Sequence, residues 1–268
     1  MTSMPSLFIS HGAPDLAVQD LPASRFLRTV GQSLPRPRAI IVASAHWSTA
    51  DVAVEDDDLP KTIHDFSGFD PALSAMRYEA PGDPTLAQQV VAALTNAGIT
   101  AKTATRGFDH GVWVPLSLMY PGADIPVVPL SVQPRRDGQH HVAVGAALAH
   151  LRATGVLIVG SGAATHNLGE LTPAATTAPE WVRAFDTWMI ERATTGDVQA
   201  LADWQRQGPQ VRRNHPTPEH WLPLLVAMGA GDGAPGRVLH RSTTWGVLQM
   251  TMLAFGGDQE MQLGSFAG

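Results

Sequence analysis

Apolar residues in this chain are concentrated in short blocks separated by polar, glycine- and proline-rich stretches. Continuous apolar runs of four to eight residues are typical of strands buried on both faces of a parallel sheet. The sequence predicts such strands over Ser6–Ser10, Ala39–Ala43, Ile125–Val132 and Val156–Val159, with shorter ones over Val52–Val54 and Thr100–Thr105 and one or two more within Arg237–Phe255.

Helical periodicity appears between these blocks. In Pro84–Ala97 the apolar residues recur on one face, Asp83 precedes the proline at the start, and Gly98 follows the end. Similar patterns predict helices over Val112–Met119, His141–Arg152, Pro179–Arg192, Val198–Arg206 and Pro218–Met228, the last with Thr217 as its N-cap. This alternation predicts an α/β fold, with a mainly parallel or mixed central sheet flanked by helices on both faces.

Composition narrows the class of protein. The 268 residues are 44% hydrophobic and 16% charged, which favours a compact globule, and the absence of a repeat or composition shift predicts one domain, 1–268. The net charge of −6 and the lack of a basic stripe argue against nucleic acid or a membrane surface as a partner. We expect no signal peptide and no membrane span, and hence a cytoplasmic protein. Because the chain has no cysteine, a bound metal would need nitrogen and oxygen ligands.

Four histidines occupy positions that suit a metal site. His11, His46 and His166 each follow a predicted strand closely, and His220 lies near the start of a predicted helix beside Glu219. The carboxyl ends of parallel strands are where α/β proteins bind ligands, and imidazole is the commonest protein metal ligand. The small residues of Gly160–Thr165 would let a substrate approach the backbone next to His166.

The remaining histidines carry a weaker signal. We expect His215, in the polar loop Gly208–Pro218, to lie near the site at most. Other histidines lack a partner pattern and are expected on the surface: His140, His141, His150 and His240.

Three other interpretations of the sequence are weak: a dinucleotide-binding protein, a serine hydrolase and a zinc protease. The GSGAAT segment lacks the third glycine of a dinucleotide loop, Ser161 lacks the frame of a hydrolase nucleophile, and no H-E-x-x-H protease motif is present.

Six ordered segments resemble one known family. PSLFISHGAP, AIIVASAHW, TIHDFSGF, GFDHGVWVPL, VLIVGSGAATHNL and TPEHWLPLL are similar to motifs of the class III extradiol ring-cleaving dioxygenases. The similarity is greatest to the DOPA 4,5-dioxygenase-like branch, which is related to the catalytic subunit of protocatechuate 4,5-dioxygenase. It runs from Pro5 to about Gly231.

The resemblance implies roles residue by residue. It implies that His11, His46 and His220 are metal ligands, and that His166 is either a further ligand or the catalytic base. His110 of the DHG motif would contact substrate or oxygen, and we expect it to be catalytic as well, as a proton donor. Trp47 is a further expected substrate contact, and Phe66, Phe69 and Trp113 are either ring walls or plain core.

The implied activity is cleavage of a catechol ring by O₂, with one Fe(II) or Zn(II) ion per chain and a hydroxymuconic semialdehyde-type product. Non-haem iron oxygenases usually use two histidines and one carboxylate, so a three-histidine set leaves the choice of metal open. A zinc hydrolase and a non-enzymatic binding protein on the same scaffold are the alternatives. The identity of the catechol, the ring bond that is cut and a homo-oligomeric state stay open. Arg106 or Arg213 could pair with a carboxylate of the substrate, but surface exposure is the simpler expectation for each.

Overall fold

The computed structural model describes residues 3–257, and within them the strands alternate with helices as the sequence predicts. The strands are Ser6–Ser10 (β1), Ala39–Ser48 (β2), Val52–Val54 (β3), Ala101–Thr103 (β4), Val127–Val132 (β5), Val156–Gly162 (β6), Gly236–His240 (β7), Thr243–Thr244 (β8), Leu248–Gln249 (β9) and Met252–Phe255 (β10). The helices are Pro22–Ser33 (α1), Pro71–Ala75 (α2), Pro84–Asn96 (α3), His110–Met119 (α4), Gly138–Leu148 (α5), Glu180–Thr194 (α6), Val198–Ala202 (α7), Trp204–Gln207 (α8), Val211–Asn214 (α9) and Leu222–Ala230 (α10).

The central sheet has eight strands in the order β4-β3-β5-β2-β6-β1-β10-β7. Its middle four strands, β5, β2, β6 and β1, pair in parallel, whereas β10 and β7 are added antiparallel on one side and β3 pairs antiparallel with β5 on the other. The α/β class and the mixed sheet are therefore confirmed. No helix of the described residues is long and apolar enough to cross a membrane.

Two buried layers cover the faces of this sheet. One layer joins α1 and α4 to strand residues such as Ile40 and Leu157, and the other joins α3, α5 and α10 to residues such as Ile41 and Ile158. Neighbouring residues of one strand thus enter opposite layers, as the two-residue period of a strand requires. The near-continuous apolar runs of β2 and β6 follow from this burial on both faces.

Several boundaries differ from the predicted ones. β2 continues through His46 to Ser48, and its pairing with β5 shifts register between Ser44 and Ser48, an irregularity of the kind that re-aims side chains near active sites. The last predicted helix begins at Leu222, with Trp221 at its N-cap and no side-chain cap, and the predicted cap Thr217 instead donates its hydroxyl proton to Glu219. Three helices were not predicted. The apolar face of α1 was overlooked, whereas α2 and α9 have only five and four residues, too few to show a helical period.

The small-residue segment Gly160–Thr165, which was predicted as a loop open to substrate, begins inside β6. Gly160 and Gly162 belong to β6, and a Cβ atom on them would lie 2.0 Å from the carbonyl oxygen of Pro223 and 2.2 Å from that of His220. The backbone that approaches these glycines is therefore the segment leading into α10. The Ala163 amide donates to the His220 carbonyl at 2.9 Å, which fixes this segment against the end of β6.

This close approach predicts the effect of adding one methyl group. Gly162→Ala should lower the free energy of unfolding by about 1–3 kcal/mol, the usual cost of overpacking, because the His220 backbone must move away. Urea unfolding measures this change. Gly122→Ala is the matched control, since a Cβ there has only ordinary contacts with Asp124. Equal stability of Gly162→Ala and the control would contradict the packing argument.

Candidate functional site

Three imidazoles converge at the carboxyl end of the parallel strands. The Nε2 atom of His46 lies 3.0 Å from Nε2 of His11 and 3.3 Å from Nε2 of His220. His11 follows β1, His46 lies in the irregular end of β2, and His220 precedes α10. The structure thus brings together three of the four histidines that the sequence singles out.

The outer ring nitrogens of two of these histidines have fixed partners. Ser161 donates its only hydroxyl proton to the Gly111 carbonyl, so its Oγ accepts the Nδ1 proton of His11 at 2.9 Å. Nδ1 of His220 donates to a carboxylate oxygen of Glu219 at 3.1 Å. Both bonds select the tautomer with an unprotonated Nε2, the arrangement typical of metal-binding histidines.

The electrostatics of this cluster favour a bound cation. Burial, followed by the neighbouring imidazoles, lowers the pKa of His11 and His220 well below the ordinary histidine value. Burial and His110 lower the pKa of His46 to about 3. The three imidazoles are therefore neutral at pH 7, and the Nε2 lone pairs of His11 and His220 are available to a cation.

The donor set fits one metal ion. Nitrogens that bind one ion at about 2.0–2.1 Å lie roughly 3.0–3.4 Å apart, which is the separation of these Nε2 atoms. Three ligands also leave positions open for other molecules, as in catalytic rather than structural metal sites.

His166 lies beside the three converging nitrogens. Its ring stacks on that of His220, with 3.4 Å between ring centroids and 11° between the planes. Burial is the main cause that lowers the pKa of His166 to about 4. Nitrogen atoms of His166 and His220 and a carboxylate oxygen of Glu219 also lie close enough together to hold an ion. The geometry is therefore compatible with either of the two roles expected for His166.

His110 forms a second polar pair at the site. Its Nδ1 donates to Oδ1 of Asp65 at 2.9 Å, and its backbone amide donates to the same oxygen at 3.0 Å. Burial would raise the pKa of Asp65, but the hydrogen bonds and charge of His110 outweigh it and lower the pKa to about 2. The ionised carboxylate orients the His110 ring, whose centroid is 3.8 Å from that of His46.

A cavity of about 330 Å³ opens onto these side chains. His46, His110 and His166 line it, whereas His11 and His220 lie behind them, outside the lining. Its other walls are mostly apolar, and they include Phe66, Phe69, Leu168, Leu171, Trp245, Leu248 and Met250. The volume and the apolar walls suit an aromatic ring, and the polar groups are confined to one end.

Several predicted residues lie elsewhere. Trp47 is outside the cavity lining, because it follows His46 on the same strand and points to the other face, where the Arg106 guanidinium lies 5.6 Å from its ring centroid. Trp113 is fully buried and donates its indole proton to the Ile63 carbonyl, so it is core. His215 is buried and donates to the Ala164 carbonyl, which supports the segment that carries His166.

The expectation of surface exposure fails for four residues, of which His140 and His240 are half-buried. His141 is fully buried, since its two ring nitrogens bond to the Asp137 carbonyl and the Gln133 amide. Arg106 is half-buried and donates to the His46 carbonyl at 2.8 Å. Arg213 is exposed as expected and pairs with Glu170.

Sequence reasoning missed the residues that hold the histidines: Asp65, Ser161, Glu219 and Arg106. Three of them, Asp65, Ser161 and Arg106, act through contacts between segments that are distant in the sequence. Ser161, for example, is brought next to β1 by the parallel register that pairs it with Ile9. The carboxylate next to His220 in the sequence was the one available signal.

Comparisons with known proteins agree with this site. A family model described as the catalytic LigB subunit of aromatic ring-opening dioxygenase matches residues 5–255. A Beta vulgaris protein named 4,5-DOPA dioxygenase extradiol is 42% identical over 249 residues, which cover 91% of this chain and 93% of the relative. A protein of the same name from Escherichia coli K12 is 42% identical over 240 residues, which cover 87% of each chain.

The fold comparison extends over the same range. The crystal structure of an uncharacterized Escherichia coli K12 protein is similar with a TM-score of 0.78 and 33% identity, covering 94% of this chain and 100% of that one. The family match and these relatives support ring-opening oxidation over the hydrolase and binding-protein alternatives. The chain belongs to the metal-dependent, extradiol aromatic ring-opening dioxygenases, the family that its ordered histidine motifs resemble.

Proposed function

We propose that this enzyme opens the ring of a catechol of the DOPA class, using one Fe(II) ion held by Nε2 of His11, His46 and His220. The observation that carries the proposal is the convergence of these three neutral nitrogens behind a cavity of ring size. The relatives named 4,5-DOPA dioxygenase extradiol support this substrate class. Iron is favoured over zinc because zinc has no redox chemistry to offer dioxygen.

The protein groups divide the work between them. When bound, the ion supplies the redox chemistry that joins O₂ to the ring. The apolar walls hold the catechol ring and exclude water. They include Phe66 and Phe69, whose ring centroids are 5.6 Å apart. Holding ring and oxygen side by side makes their reaction effectively intramolecular.

Two histidines of the cavity wall handle protons in this proposal. His166 lines the cavity and is neutral at pH 7, so it can accept a proton from one catechol hydroxyl. His110 faces the same space, and because Asp65 accepts its Nδ1 proton, its unprotonated Nε2 is free to accept a proton from a bound molecule and to return that proton later. The overall reaction adds both atoms of O₂ to the ring and gives a hydroxymuconic semialdehyde-type product.

A cytoplasmic location and a homo-oligomeric state stay predictions.

Oxygen uptake with visible absorbance tests the function directly. Protein loaded anaerobically with Fe(II) should consume one O₂ per catechol and form a yellow product, with DOPA among the accepted substrates. Absence of uptake with every catechol in a panel, with iron confirmed bound, would contradict the proposed function.

Substitution of each ligand should remove the metal. His11→Ala, His46→Ala and His220→Ala should each bind far less than one ion per chain, because two nitrogens hold an ion much more weakly than three. His166→Ala should keep about one ion if His166 is a base. Elemental analysis after dialysis measures the content, with His150→Ala, an exposed histidine, as the matched control. Loss of metal from His166→Ala would make this residue a ligand.

His110 should contribute to turnover rather than to metal binding. His110→Ala should keep its ion and bind catechol, while kcat falls about 10²–10⁴-fold, the usual effect of removing a proton-transfer group. Asp65→Asn should lower kcat less, because the ring remains but loses its orienting carboxylate. Steady-state oxygen uptake gives these values, and an unchanged kcat in His110→Ala would exclude it from the mechanism.

Acid should destabilise the metal-free protein. The folded pKa is about 3 for His46 and about 4 for His166 and His215, against about 6.5 in an unfolded chain. Between these values the unfolded state binds more protons, so the free energy of unfolding falls as the pH decreases from about 6.5 to 4. Thermal unfolding across this range measures the slope, which should be smaller in His46→Ala. A flat profile above pH 4 would show that these imidazoles are not buried as neutral groups.

A further inference from the structure

A second and larger cavity borders the ring cavity. This outer groove, of about 1090 Å³, lies between α1, the 174–178 segment and the β7–β9 region. Trp245 and Gln249 line both spaces. These two side chains therefore form the boundary between the place proposed for the catechol ring and the outer groove.

The backbone holds Trp245 at this boundary. Trp245 has a φ of 50°, in the left-handed region that residues with a side chain rarely adopt, at the turn of the β8–β9 hairpin. Its carbonyl accepts from the Thr172 amide at 2.9 Å, and the next amide, of Gly246, donates to the Ala175 carbonyl at 2.8 Å. A strained conformation tied down on both sides is a fixed wall rather than a freely moving side chain.

The two spaces differ in charge. Neither lysine nor arginine lines the ring cavity, and Asp65 is its one carboxylate within the described residues. The lining of the outer groove instead contains Arg25, Arg183 and Arg241, and in the part of the chain that the structure describes no aspartate or glutamate joins them. Each of these arginines pairs with a carboxylate of a residue that is not part of the lining: Asp20, Glu180 and Asp186.

We propose that the outer groove receives an anionic side chain of the catechol substrate, and that Trp245 is the specificity-determining residue that sets which side chains pass from the ring cavity into it. The inference rests on the proposed function. The groove would favour catechols whose carboxylate is several bonds from the ring, since a carboxylate directly on the ring would remain in the ring cavity, whose described lining has no lysine or arginine.

Three catechols test this assignment. The first is 3-(3,4-dihydroxyphenyl)propionate; the second is its primary amide, which lacks the charge; the third is protocatechuate, whose carboxylate is on the ring. Wild-type enzyme should have its highest kcat/KM with the propionate. The Arg25→Gln, Arg183→Gln double variant should reduce the preference for propionate over amide by roughly 2- to 5-fold, the range of partly exposed charge interactions. Arg241 is left intact because it pairs with the buried Asp186.

The role of Trp245 is tested with variants that have smaller side chains at this position and with substrates of different bulk. Trp245→Ala should raise kcat/KM for a bulky N-acyl-DOPA relative to the propionate by about tenfold or more, because the wall is removed, while Trp245→Phe stays near wild type. Trp245→Leu provides a second variant if the alanine protein does not fold. Anaerobic calorimetry of the same compounds with metal-loaded protein gives affinities that do not depend on turnover.

The outcomes separate the two proposals. Binding of the catechols with the expected order, but without oxygen uptake, would overturn the proposed function and support the groove assignment. Turnover with unchanged selectivity in the Trp245 and arginine variants would overturn the groove assignment alone. Absence of catechol binding would overturn both.

Discussion

The site depends on the close approach of the segment that leads into α10 to the end of β6. Gly160 and Gly162 leave no side chain between the strand and the backbone of His220 and Pro223. At the same strand end, the Gly162 carbonyl accepts a hydrogen bond from the His11 amide, and the Ala163 amide donates one to the His220 carbonyl. Two imidazoles from opposite ends of the chain are thus fixed to one strand by backbone contacts, and His46 reaches them from the neighbouring strand.

This arrangement keeps ring nitrogens available to a cation. Burial lowers the pKa of His11, His46 and His220, so these imidazoles are neutral at pH 7, and the Nε2 atoms of His11 and His220 lie 3.0 Å and 3.3 Å from Nε2 of His46. Ser161 and Glu219 fix the tautomers of His11 and His220 from outside. The protein is therefore preorganised for a metal ion, and its second layer of contacts holds the ligands in that geometry.

The sequence predicts more of the site than of its surroundings. His11, His46, His166 and His220 are found because strand ends converge at one edge of a parallel sheet, a property that local apolar runs reveal. The role of the glycines in β6 was misjudged, since a run of small residues does not show whether a substrate or another backbone will approach it. Asp65 and Trp245 were not assigned because they reach the site from irregular segments whose positions depend on tertiary contacts.

The ligand set is the central claim, and a crystal structure of the iron-loaded protein collected at the iron absorption edge tests it most directly. The anomalous signal should show one ion bonded to Nε2 of His11, His46 and His220, at about 2.0–2.2 Å from each nitrogen. An ion bound by a different set of side chains, or an empty site after loading, would contradict the account.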